Sequence, residues 1–352
     1  MGCTMSRVSY CQAINQTLAR EMERDSSVFL YGVGLGTRDQ FFGSIAGLKN
    51  RFGPDRVIDT PIAENSMMGF GLGAAVNGLR PVMHHIRVDF LMLCMDQLVN
   101  MVAPYSYSTG GKVPVPLVIR AVVGRGWGQG WQHSKSLHSI FAHIPGLRVL
   151  LPTTPADAGG LLTAALRGND PTLMIEHRWL YEVEDEVPDG DFVLPIDKPG
   201  EVLRLGGDLT IVATSWMAVE ALHAARLLEQ HHGVQPEVID ITCAAPLNMG
   251  LANRSIIKTG YGIVVDNDWG PCSLGTEIAC ALNENAFQAH HRHVARLSWD
   301  HSSCPTVRCL EDQFYPNAHG IVRTAERMLS LPKADLSQEE FYSHTKRFKG
   351  PF

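Results

Sequence analysis

No block of like charge occurs in the 352 residues, charged side chains make up only 19% of them, and the net charge is -6. A nucleic-acid binder needs a basic face, so nucleic acid is not expected as a partner. No uninterrupted apolar stretch approaches the roughly 20 residues that a membrane-spanning helix requires. The eight cysteines, at 3, 11, 94, 243, 272, 280, 304 and 309, form no C-x-x-C pair and no zinc-type spacing. No secretory signal peptide is read at the start, so they are expected to be reduced thiols in a cytoplasmic protein. What the chain has in quantity is apolar residues, 45% of the whole, enough for two cores.

Short β-branched or apolar runs alternate with stretches of helical periodicity. Ser27–Gly32, Arg80–Ile86, Pro114–Ala121, Leu147–Leu151 and Thr172–Glu176 read as buried strands. Between them, Phe90–Val102 carries apolar residues at 91, 94, 95, 98, 101 and 102, one face of a helix. Thr154-Pro155-Ala156-Asp157 is a helix start, with a threonine cap, proline at the first helical position and an acid in the first turn. The alternation predicts an α/β protein of two doubly wound domains, residues 1–184 and 209–352. An acidic, then proline- and glycine-punctuated connection over 185–208 joins them. Gly34-x-Gly36 lacks the third glycine and the acidic partner of a dinucleotide fingerprint.

Two stretches carry the functional signal. In Asp59-Thr60-Pro61-Ile62-Ala63-Glu64, proline breaks a short strand and an apolar, glycine-rich helical segment follows to Ala75. Glu64 therefore falls where a strand gives way to a helix, the end of a sheet at which α/β proteins bind ligands. By position alone it is equally a helix-start carboxylate favoured by the dipole. The second stretch is the glycine- and tryptophan-rich loop from Val123 to Ser134, which ends in His133. A histidine on such a loop is well placed to reach a substrate.

These segments, with Gly78-Leu79-Arg80-Pro81, Asp96-Gln97, Gln132-His133-Ser134-Lys135-Ser136-Leu137 and His143-Ile144-Pro145-Gly146-Leu147, resemble the β subunits of the thiamin-diphosphate-dependent 2-oxo acid dehydrogenases. The resemblance implies a pyrimidine-binding-type domain followed by a transketolase C-terminal-type domain. It implies that Glu64 hydrogen-bonds the aminopyrimidine ring, that Phe90 stacks on it with Ile86 in the same pocket, and that His133 handles the substrate. No G-D-G motif for magnesium and diphosphate is present. The resemblance therefore implies an α-type partner that holds them, in an α2β2 assembly, and a lipoyl domain or acyl carrier protein as acceptor. It also implies a monovalent cation such as potassium on the backbone carbonyls of Leu117, Ala165, Gly168 and Asp170.

The chain departs from that family at His84, His85 and Arg87, where an acidic and then mostly apolar stretch is usual, and at Trp127, Trp131 and Lys135. Extra cations and imidazoles there are candidate substrate contacts, or they face solvent or the partner. Decarboxylation of a 2-oxo acid is the first expectation. Transfer of a two-carbon ketol unit from a ketose phosphate to a carrier protein is the second, and a non-catalytic scaffold subunit the third.

Overall fold

The computed structural model describes residues 4–36, 42–124, 129–288 and 294–339. They divide into two compact units, one comprising the described residues up to 124 together with 135–196, the other 129–134 together with those from 197 onward. Among the described residues no helix is long and apolar enough to cross a membrane. The seven described cysteines are all free thiols.

The first unit runs β1 (Met5–Ser9), α1 (Tyr10–Arg24), β2 (Val28–Gly32), α2 (Leu48–Phe52), β3 (Val57–Asp59), α3 (Glu64–Val76), β4 (Arg80–His85) and α4 (Tyr105–Ser108). It continues through β5 (Val118–Val123), α5 (His138–Ala142), β6 (Arg148–Leu150), α6 (Pro155–Arg167), β7 (Thr172–His177) and β8 (Glu184–Pro188). Six of these strands lie side by side and parallel in the order β6-β7-β5-β4-β2-β3. β2, β5 and β7 are buried along their whole length. That is why their sequences are mostly apolar rather than alternating, with Arg120 in β5 and Glu176 in β7 as buried exceptions. β2 comes first in the chain, with β3 on one flank and β4 on the other, so the strand order reverses between β2 and β4. The crevice at their carboxyl ends is the topological switch point.

Gly32 lets the two strands close there, because a Cβ on it would lie 2.5 Å from the His84 carbonyl oxygen. The α6 start has the expected cap: the Thr154 hydroxyl accepts from Asp157 N at 3.0 Å, and Thr154 N donates back to the Asp157 carboxylate.

The Phe90–Val102 segment differs from the regular helix its periodicity predicts. Val88–Cys94 is a 3-10 helix and Asp96–Val102 a π-helix. The tighter and then wider turns bury Leu91, Cys94, Leu98 and Val102 and leave Met92, Leu93 and Met101 outside. The apolar stripe is kept at the cost of helical regularity.

The second unit runs β9 (Glu201–Arg204), β10 (Leu209–Ala213), α7 (Trp216–His232), β11 (Pro236–Asp240), β12 (Cys243–Ala245) and α8 (Gly250–Thr259). After it come β13 (Gly262–Trp269), α9 (Leu274–Gln288), β14 (Val294–Trp299), α10 (Arg308–Phe314) and α11 (Ala318–Met328). Its sheet has the order β14-β13-β10-β11-β9, parallel except for β9. The stretch read as a connection, 185–208, holds most of β8, which pairs antiparallel with β1, and all of β9. Both are short, polar edge strands whose sequences carry no apolar alternation.

Candidate active site

The β2–β4 switch point opens into a cavity of about 330 Å³. Val33 continues β2 into its wall, and His84, His85 and Ile86 do the same from β4. Glu64 and Met67 come from the first turn of α3, and Ile62, Phe90 and Leu93 close the rim. The lining is mainly apolar with a few polar groups converging, the usual composition of a small-molecule site.

Glu64 is the first residue of α3 and is half-buried. Ala63 before it has no side chain able to cap, so the helix begins with free N–H groups beside a carboxylate that the dipole favours. The Cys94 thiol beneath is pushed up to about 12, by burial first and then by the Glu64 charge. α3 can press on the sheet because Gly71 has no side chain: a Cβ there would collide with the Tyr31 hydroxyl, which donates to Met67 O at 3.2 Å. Phe90 keeps 39% of its surface exposed and offers a ring face at the rim.

His84 and His85 both line the cavity and are buried, so neither faces solvent. Burial pulls the His85 imidazole down to about 4. Burial, then Arg120, then His85 hold His84 well below its ordinary value. Parallel register sets His84 beside Arg120 on β5, and the His84 Nδ1 lies 3.3 Å from Arg120 Nη1. An arginine only donates, so Nδ1 is the acceptor and the neutral ring carries its proton on Nε2.

Arg120 itself is fully buried and bidentate on Glu176 of β7, with Nε to Oε1 at 2.5 Å and Nη2 to Oε2 at 2.7 Å. Tyr181 adds its hydroxyl to Glu176 Oε2 at 2.6 Å, and Arg120 Nη2 reaches Ser44 Oγ at 3.0 Å. Sequence reasoning missed this network. Its signal was a charge in the middle of each of two otherwise apolar strands, which a buried ion pair explains.

The remaining expected residues fall elsewhere. Arg87 does not line the cavity; it is buried with its guanidinium 4.9 Å from the Phe42 ring centroid and Nη1 on Ile86 O at 2.9 Å. Trp127 lies outside the described residues. His133 and Trp131 belong to the second unit, His133 half-buried at the end of a short 3-10 turn and Trp131 57% exposed. In that unit Gly130, at φ 59, packs against Thr306, and the Tyr315 hydroxyl is 3.5 Å from Ser134 O.

The four carbonyls expected to hold a monovalent cation all accept from the chain itself. Leu117 O accepts from Thr172 N at 2.9 Å, Ala165 O from Gly168 N at 3.2 Å, and Asp170 O from the Thr172 hydroxyl at 3.1 Å. Gly168 O accepts from Arg80 Nη1 at 2.7 Å, which also reaches Leu166 O at 2.9 Å. Arg80 thus brings a permanent positive charge to this turn.

The chain is thus a parallel α/β unit with a switch-point cavity, followed by a second α/β unit. The transketolase pyrimidine-binding domain family matches residues 6–184, and the transketolase C-terminal domain family matches 199–321. The acetoin:2,6-dichlorophenolindophenol oxidoreductase subunit beta of Cupriavidus necator is 36% identical over 92% of this chain and 98% of its own length. The 2-oxoisovalerate dehydrogenase subunit beta of Bacillus subtilis is 37% identical over 89% of this chain and 96% of its own. The mitochondrial pyruvate dehydrogenase E1 component subunit beta-1 of Oryza sativa subsp. japonica is 37% identical over 90% and 85%. The chain belongs to this β-subunit family of the thiamin-diphosphate-dependent 2-oxo acid dehydrogenases. Among solved structures, a split-gene transketolase forming an inactive β4 tetramer superposes with a TM-score of 0.72. At 20% identity over 93% of this chain and 99% of that one, the likeness is one of fold.

Proposed function

We propose that this chain supplies the aminopyrimidine half of a thiamin diphosphate site, which an α-type subunit completes with magnesium and the diphosphate-binding residues in an α2β2 assembly. The observation that carries the reading is the juxtaposition of Glu64 and Phe90 around one apolar cavity at the β2–β4 switch point. Its volume and lining suit a flat heteroaromatic ring that needs one carboxyl partner and one aromatic face. When bound, thiamin diphosphate supplies a nucleophilic carbon and an electron sink for decarboxylation of a 2-oxo acid.

The chain's own residues have narrower tasks. Glu64 hydrogen-bonds a ring nitrogen and holds a proton there. Phe90 stacks on the ring, and Ile86 and Met67 exclude water from it. His133, from the second unit's loop, binds the reacting unit and moves a proton to or from it. The acyl unit passes to a lipoyl or carrier-bound acceptor. Among the described residues no three His, Cys, Asp or Glu side chains cluster as metal ligands, and the reading gives magnesium to the partner.

The test is to co-purify the chain with its α-type subunit and titrate thiamin diphosphate and magnesium into each chain and the complex. Binding by the complex alone is expected, with Glu64→Gln lowering kcat by about a hundred-fold or more. Tight binding by the isolated chain, or wild-type activity in the Glu64 variant, sinks the proposal. Ketol transfer from a ketose phosphate is a second reading, favoured by the His84 and His85 imidazoles in a mainly apolar wall, since polar wall groups suit a hydroxylated donor. Release of carbon dioxide from a 2-oxo acid in the same complex decides against it.

A further inference from the structure

The residue before Phe90 and the residue two places after His133 are joined. Asp89 Oδ1 accepts from the backbone N of Lys135 at 3.3 Å and from its ammonium Nζ at 3.3 Å. The Asp89 side chain is only 4% exposed and that of Lys135 33%. One carboxylate oxygen therefore holds both the main chain and the side chain of the same residue, a two-point attachment that a surface ion pair rarely achieves. Asp89 Oδ2 has no hydrogen-bond partner among the described residues. The cost of burying that carboxylate is offset by the Lys135 ammonium beside it and by the charge of Arg87.

We propose that Asp89 and Lys135 are a positioning pair, fixing the chain just beyond His133 to the turn that presents Phe90. The proposal rests on the reading that Phe90 and His133 serve thiamin chemistry. Burial is the largest influence on Asp89 and raises its pKa, while the Lys135 charge opposes it. That balance is what the pair must provide to keep the carboxylate ionised and accepting. Without the ammonium, Asp89 turns to water or takes up a proton, and the bond to the Lys135 backbone weakens with it. The histidine segment then loses its fixed end, while the walls of the cavity remain as they are.

The experiment uses the complex with the α-type subunit. Lys135→Met is expected to lower kcat about ten-fold while the thiamin diphosphate Kd stays within about two-fold, since small misplacements near reacting atoms cost that much. Adding Asp89→Asn to Lys135→Met should restore most of the lost kcat, because the carboxamide oxygen still accepts from the backbone N and carries no charge to strand. Asp89→Leu removes both bonds by a second route, should show the same split, and decides the matter if Lys135→Met does not fold. Unchanged kcat in the folded variants, or lowered thermal stability with wild-type kcat and no rescue by the double variant, overturns the proposal. Glu64→Gln and His133→Ala measured alongside separate the two levels. If they keep full activity the thiamin reading itself fails; if they lose it while Lys135→Met does not, only the positioning pair falls.

Discussion

Arg120 is a cation with no route to water, and its whole charge is balanced by Glu176 and the groups hydrogen-bonded around the pair. Such a pair contributes little net stability compared with apolar residues of the same size, but breaking it from one side leaves a buried charge alone. Arg120→Met is therefore expected to cost about 3–5 kcal/mol in urea unfolding. Arg120→Met with Glu176→Met should cost less than Arg120→Met alone, and an additive pair of losses would show that the two are not coupled. His85 makes a different statement. Its folded value of about 4 lies below the ordinary 6.5, so as pH falls the unfolded chain takes up that proton first. The stabilising effect is complete above about pH 6.5 and is lost as pH falls toward 4, at roughly 1.4 kcal/mol per pH unit. His85→Leu should flatten the fall in stability between pH 6.5 and 4.5 by about one proton, with His84 keeping part of the slope. A variant with the wild-type slope would place the imidazole somewhere other than a dry wall.

At the scale of elements, the sequence is most legible where local chemistry and burial agree. Thr154 and Asp157 cap α6 as their spacing predicts, and the strands β2, β4 and β7 fall where their runs are read. It is least legible where tertiary demand overrides the local period. The Phe90–Val102 stretch reads as one helix, yet burying Leu91, Cys94, Leu98 and Val102 together makes it a 3-10 helix from Val88 and then a π-helix. β1 and β8 carry no periodic signal because both are largely exposed, with Val187 the one buried residue between them, and their mutual register makes them strands. Glu64 and Phe90 could be read from motif alone, whereas Arg120 and Glu176 showed only as charges in apolar strands, and their pairing needed the β5–β7 register. α3 gives a test of why its glycines matter. Gly71→Ala pushes a methyl into the Tyr31 hydroxyl and should destabilise by about 1–3 kcal/mol, the usual cost of overpacking. In a Tyr31→Phe background the same substitution should cost clearly less, with a remainder from Leu117 Cδ1 3.1 Å away. Equal costs in both backgrounds would mean that the hydroxyl is not what holds the helix off.

For the molecule as a whole, the cavity rim is the informative surface. Ile62 is 76% exposed and Leu93 60%, and Phe70 and Met92 on the neighbouring helical segments are exposed as well. Single exposed apolar residues need no explanation, but Ile62 and Leu93 border the mainly apolar cavity at the switch point, and Phe70 and Met92 lie on the segments that supply its other lining residues. On the proposed reading the chain holds only the aminopyrimidine half of the site, so the diphosphate half has to come from a partner that meets this rim. The α-type subunit of the proposed assembly is the natural cover for it, since burying apolar rim side chains is what gives such an interface its stability. Leu93→Asp is then expected to leave the isolated chain's thermal stability nearly unchanged, because the side chain already faces water. In the complex it should weaken association at least ten-fold, by placing an unpaired charge in the covered surface, and thiamin diphosphate binding should fall in step with assembly. Analytical ultracentrifugation of the mixed subunits measures the first effect and a cofactor titration the second. Full assembly by the Leu93 variant would put the partner on another face.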